Sequence, residues 1–392
     1  MAAAAVCAVY LVVRSIADLH TAFGGGSAVD YLAIASAGRV VHGGSSCVYC
    51  TGALGAAQAQ LLGYTPAASA TFPVPFVNPA LLAWLIQPLA VLPLQAGTDI
   101  FIGLNVAAMA ISAAILTRRA SPHLGGPLAA GLVAIAVFSL EAGTGILLGQ
   151  SDGLMLLAAT LAIVALDRGR PVLSGLLLVP LLLKPQLVWL VPPILVVARQ
   201  WRMLGALVAG TAVVLLGSIA VARPGHLLDA VGLVTAPAYA HLDLQSNSIP
   251  ALVARPLASN PAAWVAAMAL AVVAVATMLV LHDTLRRNPV PAVAIGVGLS
   301  VMLSPHLGDY SLMLLAVPVA VLAPRAPALT LVLLALYTAA SFVNPLVTLN
   351  ESIVALILLL GLVALVWRAT HPGSRDWAMP LPSRSAAGVS SA

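Results

Sequence analysis

Long apolar stretches, cut at intervals by arginine, proline and glycine, run through this 392-residue chain. The stretch "PAAWVAAMALAVVAVATMLVL" (261–281) is long enough to cross about 30 Å of hydrocarbon as a helix. Comparable runs predict spans over about 2–17, 97–117, 126–140, 152–166, 171–183, 187–198, 203–221, 261–281, 289–303, 309–323, 327–343 and 352–367. Two of these, within 171–198, are short helices meeting at Lys184-Pro185, where proline breaks the backbone hydrogen-bond ladder. One further apolar segment, "NPALLAWLIQPLAVLP" (78–93), has no place in an alternating count. If it crossed, Arg118 and Arg119 would land on the wrong side. It is therefore read as a re-entrant or interfacial helix, covered by protein on the outer side.

Charge sets the orientation. Twelve of the 17 basic residues fall in six places: Arg118/Arg119, Arg168/Arg170, Arg199/Arg202, Arg286/Arg287, Arg325, and the tail with Arg368, Arg375 and Arg384. The excess of arginine beside cytoplasmic span ends places all six inside, with both termini. Residues 1–17 lack a basic start and a clean cleavage site, and Arg14 interrupts them, so they read as a short first span rather than a secretory signal. Two long outer loops remain, 18–77 and 222–260, and nine of the 12 acids lie on the outer side. Residues 1–371 form one bundle, and the polar, Pro/Ser-rich segment 372–392 reads as a disordered cytoplasmic tail. No internal repeat is visible.

Composition closes off the soluble classes. The chain is 61% hydrophobic and 7% charged, with a mean hydropathy of +1.06, where soluble domains carry about a quarter charged residues. The expected fold class is an all-α polytopic membrane protein of about 12 transmembrane helices. The basic pI of 9.4 comes from arginines at span ends and does not point to nucleic acid. Of three cysteines, Cys47 and Cys50 form a C-x-x-C pair. Such a pair suits a loop disulfide, a redox site or half a zinc site, and no second half is evident in the sequence.

Candidate chemistry gathers at four places. Asp30 stands in "SAVDYL" at the head of a helix, after a glycine run suited to close approach of a ligand. One reading makes it a helix-start carboxylate in an S-x-x-D pattern capped by Ser27; the other makes it catalytic. "EAGTGILLGQSDG" (141–153) collects Glu141, Gln150 and Asp152 at one turn, either satisfying helix ends or binding sugar hydroxyls. Lys184, in "LLLKPQ", is the only lysine in the chain. A cation amid apolar sequence is costly to bury, so it is either an anion-binding group or a snorkelling one. His306 and Asp309 lie in the turn "SPHLGDY", where the histidine is a proton shuttle, a phosphate donor or a turn residue. Arg223, His226, Asn247 and Arg255 lie in the second long loop, as solvated charges or phosphate contacts. There is no D-x-D, Walker A, H-E-x-x-H or G-x-S-x-G pattern and no nucleotide-binding domain. Neither cofactor nor metal is expected, and chemistry must use a donor that lives in the membrane.

Read in order, "VDYLAIASAGRVVHGG", "FPVPFVNPALLAWLIQPLAVLP", "LLGQSDGLMLLAATLAIVALDRGRPVLSGLLLVPLLLKPQLVWLVPPILVVARQWR", "SNSIPALVAR" and "SPHLGDYSLMLLAVP" resemble glycosyltransferase family 87. The likeness covers most of residues 28–325, and the "GQ…RGRP…LKPQ…RQWR" block is its most specific part. The resemblance implies a GT-C fold with outer juxtamembrane helices, the 78–93 segment among them, and a catalytic Asp that Asp30 matches. "FPVPF" stands where the family often has Y-P-P. The implied activity is a mannosyltransferase of the cytoplasmic membrane. It would move mannose, with inversion, from a polyprenyl-phosphate donor to a glycolipid or glycan acceptor on the outer face. In that scheme Asp30 is the base, with His306 as alternate or helper. Lys184, Arg223 and Arg255 hold the donor phosphate, and Tyr31, Gln150, Asp152, Asn247 and Asp309 line the substrate site. Membrane lipids complete the partners. A lipid-linked sugar flippase or transporter is the alternative class; an inactive relative that binds lipid-linked sugars is a third.

Overall fold

The computed structural model describes residues 28–63, 74–138, 140–235, 248–250, 260–280, 282–304 and 309–322. The expected spans at 2–17, 327–343 and 352–367, the tail, Ser27, Asn247, Arg255 and His306 lie outside them. Every regular element among the described residues is helical.

Four helices build an amino-terminal unit: α1 (Val29–His42), α2 (Thr51–Leu62), α3 (Ala80–Leu85) and α4 (Gln87–Ala90). The single helix expected at 78–93 is thus two short pieces. Pro88 sits in the first turn of α4, where its missing N–H is harmless, whereas a continuous helix would need that donor. The unit has its own core of Tyr31, Ile34, Leu54, Phe76, Leu82 and Ile86, buried apart from the main bundle. Gly38 lets α1 approach this pair closely, since a Cβ there would lie 2.7 Å from Ala90 Cβ. Arg39 then donates from Nε to Ala90 O at 2.9 Å and from Nη2 to Leu92 O at 3.2 Å, satisfying carbonyls that the short α4 leaves open. Gln58 clamps Val74 by both amide atoms, and Tyr49 donates to Asn78 O at 3.0 Å.

The bundle follows. α5 (Leu94–Leu124) is longer than the expected span and packs on both α6 (Gly126–Val137) and α8 (Asp152–Asp167). The run read as one span at 126–140 is α6 alone; α7 (Leu140–Leu148) follows it at a bend of 45°. The broken pair is present as expected. After α9 (Pro171–Leu177), a 3-10 turn Val179–Leu183 stops at Lys184, and a second, Pro185–Leu187, leads to α10 (Val191–Val197). A peptide group near the break is taken up by the bundle, since Leu190 N donates to Ser300 Oγ at 3.0 Å, and the Trp189 indole adds a side-chain bond to Ser300 O. α11 (Trp201–Thr235) is two helices joined across Arg223, whose φ of 60° and following Pro224 interrupt the ladder. α12 (Asn260–Val280), α13 (His282–Arg287) and α14 (Pro289–Met302) come next, and a 3-10 segment Asp309–Leu315 runs into α15 (Ala316–Leu322).

Among the described residues, three helices, α5, α11 and α12, contain stretches long and apolar enough to cross a membrane, or four spans if α6 and α7 count as one. The other expected spans among the described residues are shorter apolar pieces. α11 and α12 turn apolar side chains outward: Val213, Leu216, Val272 and Val280 are all exposed, as a lipid-facing surface requires. The chain is an all-α membrane protein.

Candidate active site

Helix ends converge to make the site. The first turn of α8 presents Asp152, and Asn105 of α5 caps that turn from outside: its Oδ1 accepts from Leu154 N at 3.2 Å while its Nδ2 donates to Phe101 O. Just before α8, Gly149 holds φ +70°, a conformation that strains any residue with a side chain. It also lies against the head of α1, since a Cβ there would come 2.7 Å from Tyr31 Cβ. This contact brings Asp30 beside Gln150.

A continuous chain of hydrogen bonds results. The Gln150 Nε2 donates to Asp30 Oδ2. Lys184 Nζ donates to Gln150 Oε1 at 2.6 Å and, as a salt bridge, to Asp152 Oδ2 at 2.6 Å. Ser311, from the 3-10 segment before α15, donates to Asp152 Oδ1 at 2.5 Å. Both oxygens of Asp152 are thus engaged, and the residue is fully buried. An ion pair this enclosed is tolerated because each charge meets the other and further polar partners. Asp30 is only partly covered. Burial nonetheless pushes its carboxyl above the ordinary range; the Gln150 donor and the Lys184 charge pull it down, and Asp152 pushes it up again. A carboxylate so poised is a better proton acceptor than a free one.

Ala28 occupies the N-cap position of α1 and makes no side-chain cap, and Ser27, the expected capping residue, lies outside the described residues. Asp30 therefore sits in the first turn with its carboxylate committed to Gln150. Tyr31 is wholly buried. Its ring lies 5.2 Å from that of Phe101 and its hydroxyl faces Leu89 O, so it fastens α1 to α4 and α5. Arg223 is exposed at its kink and does not join the Asp30–Lys184 chain. Asp309 begins the 3-10 segment that supplies Ser311. His226 faces Cys47 and Cys50 instead of this site. Ser311 and Asn105 are not singled out by sequence: Asn105 is one polar residue within an apolar run, and Ser311 follows directly on the turn that carries Asp309.

At the far end of α8, Arg119 and Asp167 form a bidentate pair with both distances 2.9 Å. Fifteen residues of helix, about 22 Å, separate it from Asp152. The acid-rich site and the arginine-bearing turns thus stand at opposite ends of one helix, as the charge pattern requires.

Among known proteins, no curated protein and no solved structure matches the chain. The family model of glycosyltransferase family 87 matches residues 76–305, more than half of the sequence, a stretch that includes Gln150, Asp152 and Lys184. With that match over an all-α membrane bundle, the chain belongs to glycosyltransferase family 87, membrane enzymes that transfer a sugar from a donor to an acceptor.

Proposed function

We propose that this enzyme transfers a sugar, with inversion, from a polyprenyl-phosphate donor to a glycolipid or glycan acceptor at the outer face of the cytoplasmic membrane. Mannose is the sugar that the family resemblance favours. The observation that carries this reading is the Asp30–Gln150–Lys184–Asp152 chain, a base and a cation held together at the edge of an apolar bundle.

The acceptor hydroxyl attacks the anomeric carbon as Asp30 takes its proton. The new O–C1 bond forms while the C1–O bond to phosphate breaks, and its electron pair leaves with the lipid phosphate. That developing charge needs a fixed cation, and Lys184 supplies it from a preset position. Gln150 carries the geometry between the two, so base and cation keep one separation. Arg223 and Arg255 add positive charge for the phosphate, and His306 serves as helper or alternate base. Asn247 and Asp309 contact the sugars, and Tyr31 contributes by fixing α1. The apolar surface between bundle and α3–α4 receives the prenyl tail.

The test is an assay of purified protein with polyprenyl-phosphate mannose and a panel of acceptors. Product with inverted linkage is expected, and Asp30→Asn is expected to lose transfer while still binding donor. Wild-type turnover by Asp30→Asn overturns the assignment of the base. Donor movement across a vesicle without cleavage identifies a flippase instead.

A further inference from the structure

A second polar cluster lies at the other end of α1, away from Asp30. Cys47 and Cys50, in the turn between α1 and α2, are paired as a disulfide, with Cα atoms 5.2 Å apart. Against them the fold sets two residues of the helix that follows the Arg223 kink. His226 Nδ1 lies 3.9 Å from Cys47 Sγ and 3.7 Å from Cys50 Sγ. Asp229 Oδ2 lies 3.2 Å from His226 Nδ1 and 3.9 Å from Cys50 Sγ. In a tetrahedral zinc site, with metal–ligand bonds of about 2.0–2.3 Å, any two donor atoms stand about 3.3–3.8 Å apart. Four of the six separations sit close to that range, and the two bonded sulfurs must part to reach it. Cys47, Cys50 and His226 keep all their donor atoms within 4.8 Å of one another, with Asp229 bordering this trio. The chemistry is compatible: two thiols at C-x-x-C spacing, one imidazole and one carboxylate are all donor types that zinc takes.

The disulfide alone does not account for this arrangement. It closes a loop of sequence separation 3, for which the entropic stabilisation is small. Nor does a disulfide need an imidazole and a carboxylate against its sulfurs. Both belong to a segment some 180 residues away, so the cluster joins two distant parts of the chain.

We propose that Cys47, Cys50, His226 and Asp229 form a redox-gated zinc site that fastens the α1–α2 turn to the helix following Arg223. In the dithiol state, side-chain rotation separates the sulfurs, both thiols give up their protons, and Zn2+ takes the four donors. A disulfide-bearing oxidant reverses this. Two electrons pass from the thiolates to the oxidant's disulfide, the Cys47–Cys50 bond forms, the oxidant takes two protons from water and leaves as two thiols, and Zn2+ departs with its charge unchanged. The site is structural, with all four positions filled by protein, and it stands independently of the transferase mechanism.

The test uses the full chain in detergent, reduced with a phosphine, dialysed against zinc and analysed for metal. About one zinc per chain is expected in the reduced protein and none in the oxidised one. Cobalt in its place is expected to give a thiolate-to-metal charge-transfer band that an added disulfide oxidant abolishes. His226→Ala is expected to weaken zinc binding by at least about tenfold, and Cys47→Ser with Cys50→Ser to remove it. Reduced protein that binds no zinc overturns the proposal. So does zinc retained by the double serine variant, or affinity unchanged by His226→Ala with circular dichroism intact.

Discussion

Asp30 and Asp152 belong to one hydrogen-bonded chain, through Gln150 and Lys184, yet occupy opposite states. Asp152 is sealed, with one oxygen on Lys184 and the other on Ser311. Asp30 is reached by the Gln150 amide, stands partly open, and is held above the ordinary carboxylate range by burial. One carboxylate is spent as a counter-ion, and under the proposed mechanism the other takes the proton. The lesson is that residue type and proximity did not divide the roles; the cation's placement did.

Four experiments break or sharpen this contrast. Asp30→Asn has the largest effect: transfer falls by about 10²–10⁴-fold, measured as product formed per enzyme. The fold does not suffer at neutral pH. A carboxyl with a raised pKa in the folded state contributes stability at low pH and loses it as pH rises through that value. Asparagine never ionises, so the melting temperature at pH 7 stays level or rises. Asp152→Asn behaves the other way. It leaves Lys184 buried without its counter-charge, at a cost of about 3–5 kcal/mol, seen as an early denaturant midpoint before any catalytic question arises. If instead Asp152→Asn melts like the wild type, the two acids are not as different as their surroundings say.

Gln150→Leu comes next. Its donor lowers the Asp30 pKa, so its loss raises that pKa further. Activity depends on ionised Asp30 and declines as pH falls through the pKa; the acid limb of kcat/KM therefore moves to higher pH in the variant. An unmoved limb separates Gln150 from the base. Ser311→Ala has the smallest effect, about 1 kcal/mol in stability with the acid limb unchanged, because Asp152 keeps Lys184.

Much of this was legible beforehand, for identifiable reasons. Lys184 drew notice as the single lysine beside a proline, and the backbone does break there. Gln150 and Asp152 sit two residues apart in a polar turn, and both join the site. The capping role read for Ser27 lies outside the described residues, whereas the close approach of Gly149 to Tyr31 at the head of α1 could not be read from local spacing. The 78–93 segment kept its non-crossing length but not its continuity, since Pro88 outweighs the apolar pattern. Ser311 and Asp229 could not be found by pattern. Ser311 meets Asp152, and Asp229 meets Cys50 as well as its neighbour His226, across more than 150 residues of sequence.

The two anchorages of α1 have a mechanical consequence. Asp30 rides at the head of the helix and Arg39, nine residues on, ties it down near the tail, a lever of about 14 Å. A tilt of about 4° about that tether would swing the carboxylate by about 1 Å, a displacement that commonly costs on the order of a hundredfold in rate. The bare α-carbon of Gly149, pressed against Tyr31, is the stop that limits the swing. If Asp30 is the base, as proposed, catalytic precision is a matter of leverage, fixed by an arginine at one end and by the lack of a side chain at the other.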